Sequence, residues 1–254
     1  MSGWKDTLVR RFDAAAATYD QAAGPQRRVA AALARRVRAR PLAPVPEVLE
    51  IGCGTGLLTA LLRPALPGCR WLATDLSPRM LEACAGRFAR GPEPGLETRV
   101  MDGEWPDLPG RRFDLVVSSL AVQWFDDPVA GLARLHRLLR PGGLLAATTL
   151  GAGTFAEWRR LCRGAGVAPW TPPFPTAAAL AAALGVPVGR RVVALDCGSL
   201  GGFLDHLRLT GVRAAGPGHR PLDPPALRRL LRAGAGAPFV ASYEVLTVLW
   251  ERQP

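Results

Sequence analysis

Lysine is almost missing from this chain: of 32 basic residues only Lys5 is a lysine, so the formal charge of +11 rests on arginine. Histidine is nearly as scarce, with His136, His206 and His219 too scattered to form a ligand set. The five cysteines, Cys53, Cys69, Cys84, Cys162 and Cys197, are odd in number and contain no C-x-x-C pair. Neither a metal site nor a disulfide framework is expected. No run of 18 apolar residues occurs, and the chain opens on Trp4, Lys5, Asp6, Arg10 and Arg11 where a signal peptide would be apolar. A location in the cytoplasm, with no membrane span, is therefore the expectation. A basic tail is also absent, which argues against nucleic acid as a partner.

What is present suits a globular protein. The 254 residues are 48% hydrophobic and 21% charged, enough for one sizeable α/β core with appended elements. Three segments are expected: 1–40 as an N-terminal helical segment, 41–150 as an α/β core, and 151–254 as further helices and the last strands of the same domain. A monomer is expected. The arginine excess has two readings, a biased composition that puts arginine on every solvated face, or an acidic partner drawn to a basic surface.

The organising stretch is Val45 to Gly56, an apolar run followed by Glu50 and three alternate glycines, Gly52, Gly54 and Gly56. Val48–Ile51 reads as a buried parallel strand and Leu57–Leu62 as the start of a helix. Glycine permits positive φ and lets a ligand approach bare backbone, while the helix N-terminus offers unpaired N–H groups. The spacing is not the G-x-G-x-x-G of dinucleotide sites, because Leu57 stands where that pattern wants glycine. A second run, Trp71–Thr74, ends in Asp75, a strand-end carboxylate suited to ribose hydroxyls. A third, Glu97–Met101, ends in Asp102 and Gly103, placed to meet an adenine amino group.

Glu50-Ile51-Gly52-Cys53-Gly54-Thr55-Gly56 resembles the first motif, E/D-x-G-x-G-x-G, of the class I S-adenosylmethionine-dependent methyltransferases. The resemblance implies a Rossmann-like α/β fold, with a mostly parallel seven-stranded sheet, helices on both faces and an antiparallel last strand. It also implies S-adenosylmethionine as cofactor, held by Glu50, Gly52, Cys53, Gly54, Gly56, Asp75, Leu76, Asp102, Gly103 and Ser118. A glycine turn without ligand, or an NAD site, is the competing reading.

Ahead of the first strand, Phe12 and Tyr19 are seven apart and are expected to share one helix face. This segment either packs on the core or folds over the glycine turn as a lid, with Tyr19 facing the ligand. A second helix is expected over about 25–37. Ser77-Pro78 is a helix start leading to about Ala89, residues 90–95 are a Gly/Pro loop, and Trp105 either flanks the adenine or simply packs. Phe113–Ser118 reads as a fourth strand whose end, through Gln123 and Trp124, lies where such sheets bind substrate. The alternative for Gln123 and Trp124 is a cap and a core aromatic. A helix follows, closed by Pro141-Gly142-Gly143, and then a fifth strand, Leu144–Thr149. Helices near 155–163, 176–184, 203–210 and 225–232, a strand at 191–196 and an antiparallel edge strand at 239–250 complete the chain.

Methyl transfer from a sulfonium is an in-line displacement that needs positioning and a dry pocket. No His, Asp or Lys stands in an obvious base position, so no catalytic base is expected; Tyr19 and Gln123 are positioning candidates. An acceptor that is already an anion, such as a carboxylate, fits that absence.

Arg11 to Asp20, Ser118-Ser119-Leu120-Ala121-Val122-Gln123-Trp124, Thr149 to Thr154, and Leu204-Asp205-His206-Leu207-Arg208-Leu209-Thr210-Gly211 together resemble the malonyl-acyl-carrier-protein O-methyltransferases of biotin synthesis. The resemblance implies methylation of the free carboxylate of malonyl held on acyl-carrier protein, an acidic partner. Substrate contacts would then come from Tyr19, Gln123, Trp124, His206 and Arg208, with Arg208 holding the carboxylate or serving only as a surface arginine. A same-fold enzyme acting on a soluble carboxylic acid or a quinone is the alternative, followed by a non-catalytic S-adenosylmethionine binder. A nucleic-acid methyltransferase is disfavoured, because Ser-Ser-Leu-Ala stands where an N/D-P-P-Y/F tetrad would.

Overall fold

The computed structural model describes residues 3–89, 96–169, 171–212 and 222–253. The chain opens with three helices, α1 (Gly3–Ala15), α2 (Tyr19–Ala22) and α3 (Gly24–Arg38), before strand β1 (Glu47–Ile51). Helices and strands then alternate: α4 (Leu57–Leu62), β2 (Arg70–Asp75), α5 (Pro78–Phe88), β3 (Leu96–Val100), β4 (Phe113–Ser119), α6 (Pro128–Arg137) and β5 (Leu139–Leu150). The remainder supplies α7 (Ala156–Gly164), α8 (Ala177–Leu184), β6 (Val188–Asp196), α9 (Leu200–Leu209), α10 (Pro224–Ala233) and β7 (Val240–Glu251).

The strands form one seven-stranded sheet in the order β3-β2-β1-β4-β5-β7-β6. β1 pairs in parallel with both β2 and β4, while β7 runs antiparallel between β5 and β6. The mostly parallel sheet and its antiparallel last strand are as expected, but β7 is not the edge strand: β6 pairs along its outer side and takes the edge. In β1, Val48 faces a cluster with Leu33, Val37 and Leu62, and Leu49 faces another with Val116, Leu132 and Leu135. Both faces of the strand are thus covered, which is why it reads as a continuous apolar run. The order reverses at β1, between β2 and β4, so the strand ends there border the crevice where such sheets take ligands.

Several helix starts follow from side-chain caps. Ser77 accepts the Met80 N–H ahead of α5, and Asp127, Thr176, Ser199 and Asp223 do the same for α6, α8, α9 and α10.

Three further expectations need correction. Phe12 and Tyr19 do not share a helix, because α1 stops at Ala15: the Thr18 N–H and hydroxyl both turn back to the Ala15 carbonyl, and α2 begins at Tyr19. The fifth strand starts at Leu139, not Leu144. Pro141-Gly142-Gly143 lies inside β5 as an irregularity, with the pairing to β4 shifting between Phe113 and Leu115, and α6 has already ended at Arg137. β6 begins at Val188, where Gly189 and Arg190 hide the strand pattern from a sequence reading but still pair with Thr247 and Leu246. The loop expected at 90–95 lies outside the described residues.

Candidate active site

The strand ends at the reversal converge on a pocket lined by Glu50, Gly52, Cys53, Gly54, Asp75, Leu76, Asp102 and Gly103, all of them sequence candidates. Gly52 and Gly54 have φ of +66° and +55°, the left-handed region. At Gly52 a Cβ would stand 2.2 Å from that of Ala121, so only glycine fits. Asp75 holds this turn: Oδ2 accepts the Gly54 N–H and Oδ1 the Ser77 N–H, each at 2.9 Å. Burial raises the Asp75 pKa above its ordinary value against the pull of these bonds.

Glu50 lies almost fully out of solvent, its Oε2 accepting from the Thr59 hydroxyl at 2.6 Å and the Trp71 indole at 3.0 Å. Burial still dominates, and its carboxyl is pushed up to about 7.

The roof comes from the N-terminal segment. Leu8, Val9, Phe12 and Tyr19 line the pocket from above, and Phe12 packs edge-on against Trp124 with ring centroids 5.8 Å apart. Three polar ties fasten this roof to the rim. The Lys5 ammonium, 1% exposed, donates to Asp102 at 2.8 Å and to Glu104 at 2.7 Å. Asp13 accepts from the Ser77 hydroxyl at 2.6 Å and from the Arg79 N–H. Asp20 accepts from the Thr55 hydroxyl at 2.6 Å and pairs with Arg87. The space under this roof that a water-sized sphere can reach measures about 100 Å³.

Six sequence candidates stand away from the pocket wall. Gly56 (φ +84°) serves packing, since a Cβ there would meet Cys84 and Phe88 at 3.0 Å. The buried Ser118 hydroxyl donates to the Ile51 carbonyl, stitching β4 to β1; its neighbour Ser119 faces the pocket instead. Gln123 turns its amide onto the Leu120 carbonyl. His206 is buried against the Tyr243 hydroxyl at 2.5 Å. Arg208 is 61% exposed and pairs with Asp205 one helical turn away. Trp105 is exposed under the Arg134 guanidinium, 3.5 Å from its ring centroid, and likewise lines no pocket.

Sequence reasoning missed Gln26, Lys5, Asp13, Asp20 and Glu104. Gln26 on α3 lines the pocket, 8% exposed, and its Oε1 is buried with no hydrogen-bond partner. An orphaned acceptor of this kind costs about 1–3 kcal/mol until a ligand donor meets it. Glu104 accepts the backbone N–H groups of Asp126 and Asp127 besides Lys5. No local pattern marks such a glutamate.

Among the described residues the pocket wall contains three carboxylates, Glu50, Asp75 and Asp102, and no Lys, Arg or His. It suits a cationic nucleoside: glycine backbone for close approach, a strand-end carboxylate, and an unfilled acceptor. Together with the sheet order, this defines a class I S-adenosylmethionine-dependent methyltransferase.

A model described as "Methyltransferase domain" matches residues 49–145. A malonyl-[acyl-carrier protein] O-methyltransferase of Magnetococcus marinus is 39% identical over 245 residues, covering 93% of this chain and 89% of that one. A biotin biosynthesis bifunctional protein BioCD of Bordetella avium is 42% identical over 89% of this chain, which spans only 48% of its length. The chain belongs to the malonyl-[acyl-carrier protein] O-methyltransferase family. Two solved structures bear on the fold alone: the YcgJ protein of Bacillus subtilis, 12% identical with a TM-score of 0.62, covers 87% of this chain and 98% of its own. A putative methyltransferase of Bacillus halodurans, 14% identical with the same TM-score, covers 88% and 99%.

Proposed function

We propose that this enzyme methylates the free carboxylate of malonyl carried on acyl-carrier protein, giving the methyl ester that primes pimeloyl synthesis for biotin. The observation that carries this reading is a pocket wall with no His or Lys, whose three carboxylates are each engaged by protein donors: Asp75 by the turn, Glu50 by Thr59 and Trp71, and Asp102 by Lys5. An amine or phenol acceptor must lose a proton, whereas a carboxylate with a reference pKa near 4 arrives ionised at neutral pH. Tyr19, the one phenol in the wall, is pushed by burial and by Asp75 above its ordinary value, which makes it a poor proton acceptor at pH 7.

Glu50, Gly52, Cys53, Gly54, Asp75, Leu76, Asp102 and Gly103 would hold S-adenosylmethionine, which when bound supplies an electrophilic methyl on a sulfonium. The protein's own contribution is to position and to exclude water. Asp75 keeps the glycine turn in place, Phe12 and Trp124 close the apolar side, and the fastened N-terminal segment shuts solvent out. The Lys5 ammonium neutralises Asp102, and Glu50 retains a proton over part of the working pH range. The negative charge facing an incoming carboxylate is thereby reduced. The name of the Magnetococcus relative supports the carrier-bound substrate, and that of the Bordetella relative supports biotin synthesis.

The test is to offer purified enzyme malonyl on carrier protein, free malonate, another soluble acid and a quinol side by side, following methyl ester by mass spectrometry. Ester on the carrier, and restored biotin-independent growth of a host lacking this step, are expected. Preference for a free acid or the quinol would overturn the reading.

A further inference from the structure

Four arginines gather where the function described so far has no use for them. Arg35 and Arg36 on α3 and Arg190 and Arg191 on β6 line a cleft of about 310 Å³ between the helix and the β6–β7 edge of the sheet. Its floor is apolar, with Val29, Leu33, Val193 and Val245. All four arginines are exposed.

Charge in this cleft is not balanced as it is elsewhere. Around β1, Glu47 alone gathers Arg70, Arg111 and Arg140, and Asp114 also meets Arg140. In the cleft only Arg190 meets a carboxylate, that of Glu244, whose other oxygen is taken by the Gly153 N–H. Among the described residues, Arg35, Arg36 and Arg191 have no carboxylate within salt-bridge reach. Like charges clustered over an apolar floor repel one another unless an acidic partner settles on them.

The cleft is also close to the chemistry. α3 separates the two: Gln26 and Ala30 face the pocket, Val29 and Leu33 the cleft. Thr148 in the cleft accepts the N–H of Leu120, a residue of the pocket wall held at a left-handed φ of +55°. A helix with side chains is about 10–12 Å across, so a flexible arm of modest length spans from one to the other.

We infer that this arginine-lined cleft is the docking site of the acidic carrier protein, with carboxylates on the guanidinium groups and an apolar side chain on the floor. The inference rests on the reading that malonyl arrives on a carrier. Guanidinium forks pair bidentately with carboxylates, so arginine at these positions serves orientation as well as attraction.

The full-length enzyme with Arg35→Glu, Arg36→Glu and Arg191→Glu is compared with the unaltered one on two substrates, malonyl-carrier protein and the malonyl thioester of N-acetylcysteamine. KM for the carrier substrate should rise about tenfold or more and lose most of its salt dependence, while kcat/KM for the small thioester stays within about twofold. The matching Gln variants, which remove charge without reversing it, should shift the carrier KM in the same direction by a smaller factor and carry the test if the Glu variants do not fold. Equal effects on both substrates, or none on either, would overturn the docking site. So would variants that lose affinity for duplex DNA but keep carrier kinetics. An unaltered enzyme that fails to methylate malonyl-carrier would remove the functional reading itself, whereas normal turnover with unresponsive variants removes only the docking site.

Discussion

Asp75 is shared between the chain and whatever enters the pocket. Each of its oxygens already holds one backbone N–H, and a carboxylate oxygen has room for a second donor. Asp75→Asn keeps the shape and removes the charge. S-adenosylmethionine affinity by calorimetry should fall about 10- to 100-fold, the difference between charged and neutral hydrogen bonds to two hydroxyls; an unchanged constant would remove Asp75 from the site. Glu50 makes a different prediction. Burial pushes its folded-state carboxyl to about 7 from an ordinary 4.5, so the fold favours the protonated form. Stability from this group is full below about pH 4.5 and is lost as pH rises toward 7, a swing of about 3 kcal/mol. Glu50→Gln, which needs no proton, should flatten the pH dependence of urea melts across that interval, and identical slopes in both proteins would contradict it. The glycines and Asp75 were legible because each sits where an apolar run stops, and Asp102 because it closes the next candidate strand, positions that sequence order alone reveals. Ser118 sat at such a place too, yet its hydroxyl faces the neighbouring strand, because alternation decides side and a one-residue difference puts Ser119 in the pocket instead.

At the scale of elements, the N-terminal segment was expected as either lid or packed helix, and its three ties now explain the spacing of its polar residues. Phe12 and Tyr19 face the pocket while Asp13 and Asp20 reach outward to Ser77, Thr55 and Arg87. The break after Ala15 was not legible: four alanines favour helix, and the turn depends on where Thr18 finds its acceptors. Lys5→Met would test the strongest tie. Removing the ammonium leaves Asp102 and Glu104 facing each other without a cation, and loss of one partner of a buried pair costs about 3–5 kcal/mol. A lower melting temperature and faster proteolysis within residues 3–22 are expected, with Trp4, bonded to Asp126 beside the tie, reporting the loosened helix by fluorescence. If melting and proteolysis are both unchanged, Lys5 does not fasten the segment. The late elements were legible as types but less well in extent. β6 is the clearest case, since its pairing with β7 and not its own composition makes Gly189 and Arg190 part of a strand.

For the molecule as a whole, the last strand is not an ornament on the sheet's edge. β7 pairs with β5 on one side and β6 on the other, and Leu246 and Val248 enter the core shared with α6 and α8. Deleting 240–253 should therefore abolish cooperative thermal unfolding altogether, where loss of an edge strand would only lower its midpoint; a truncated chain that still melts in one sharp transition would contradict this. The overall topology was legible through the family resemblance that the glycine turn and the ordered strand-end acids carry, except for the internal place of β7. The balance of surface charge was not, since a count of arginines does not say which of them meet acids. The rarity of lysine has its own consequence. With Lys5 the only side-chain amine and 1% exposed, an amine-acylating reagent added to folded protein finds no side chain to modify until α1 detaches. The rate at which that single amine becomes modified is then a clock for opening, one that saturating S-adenosylmethionine should slow.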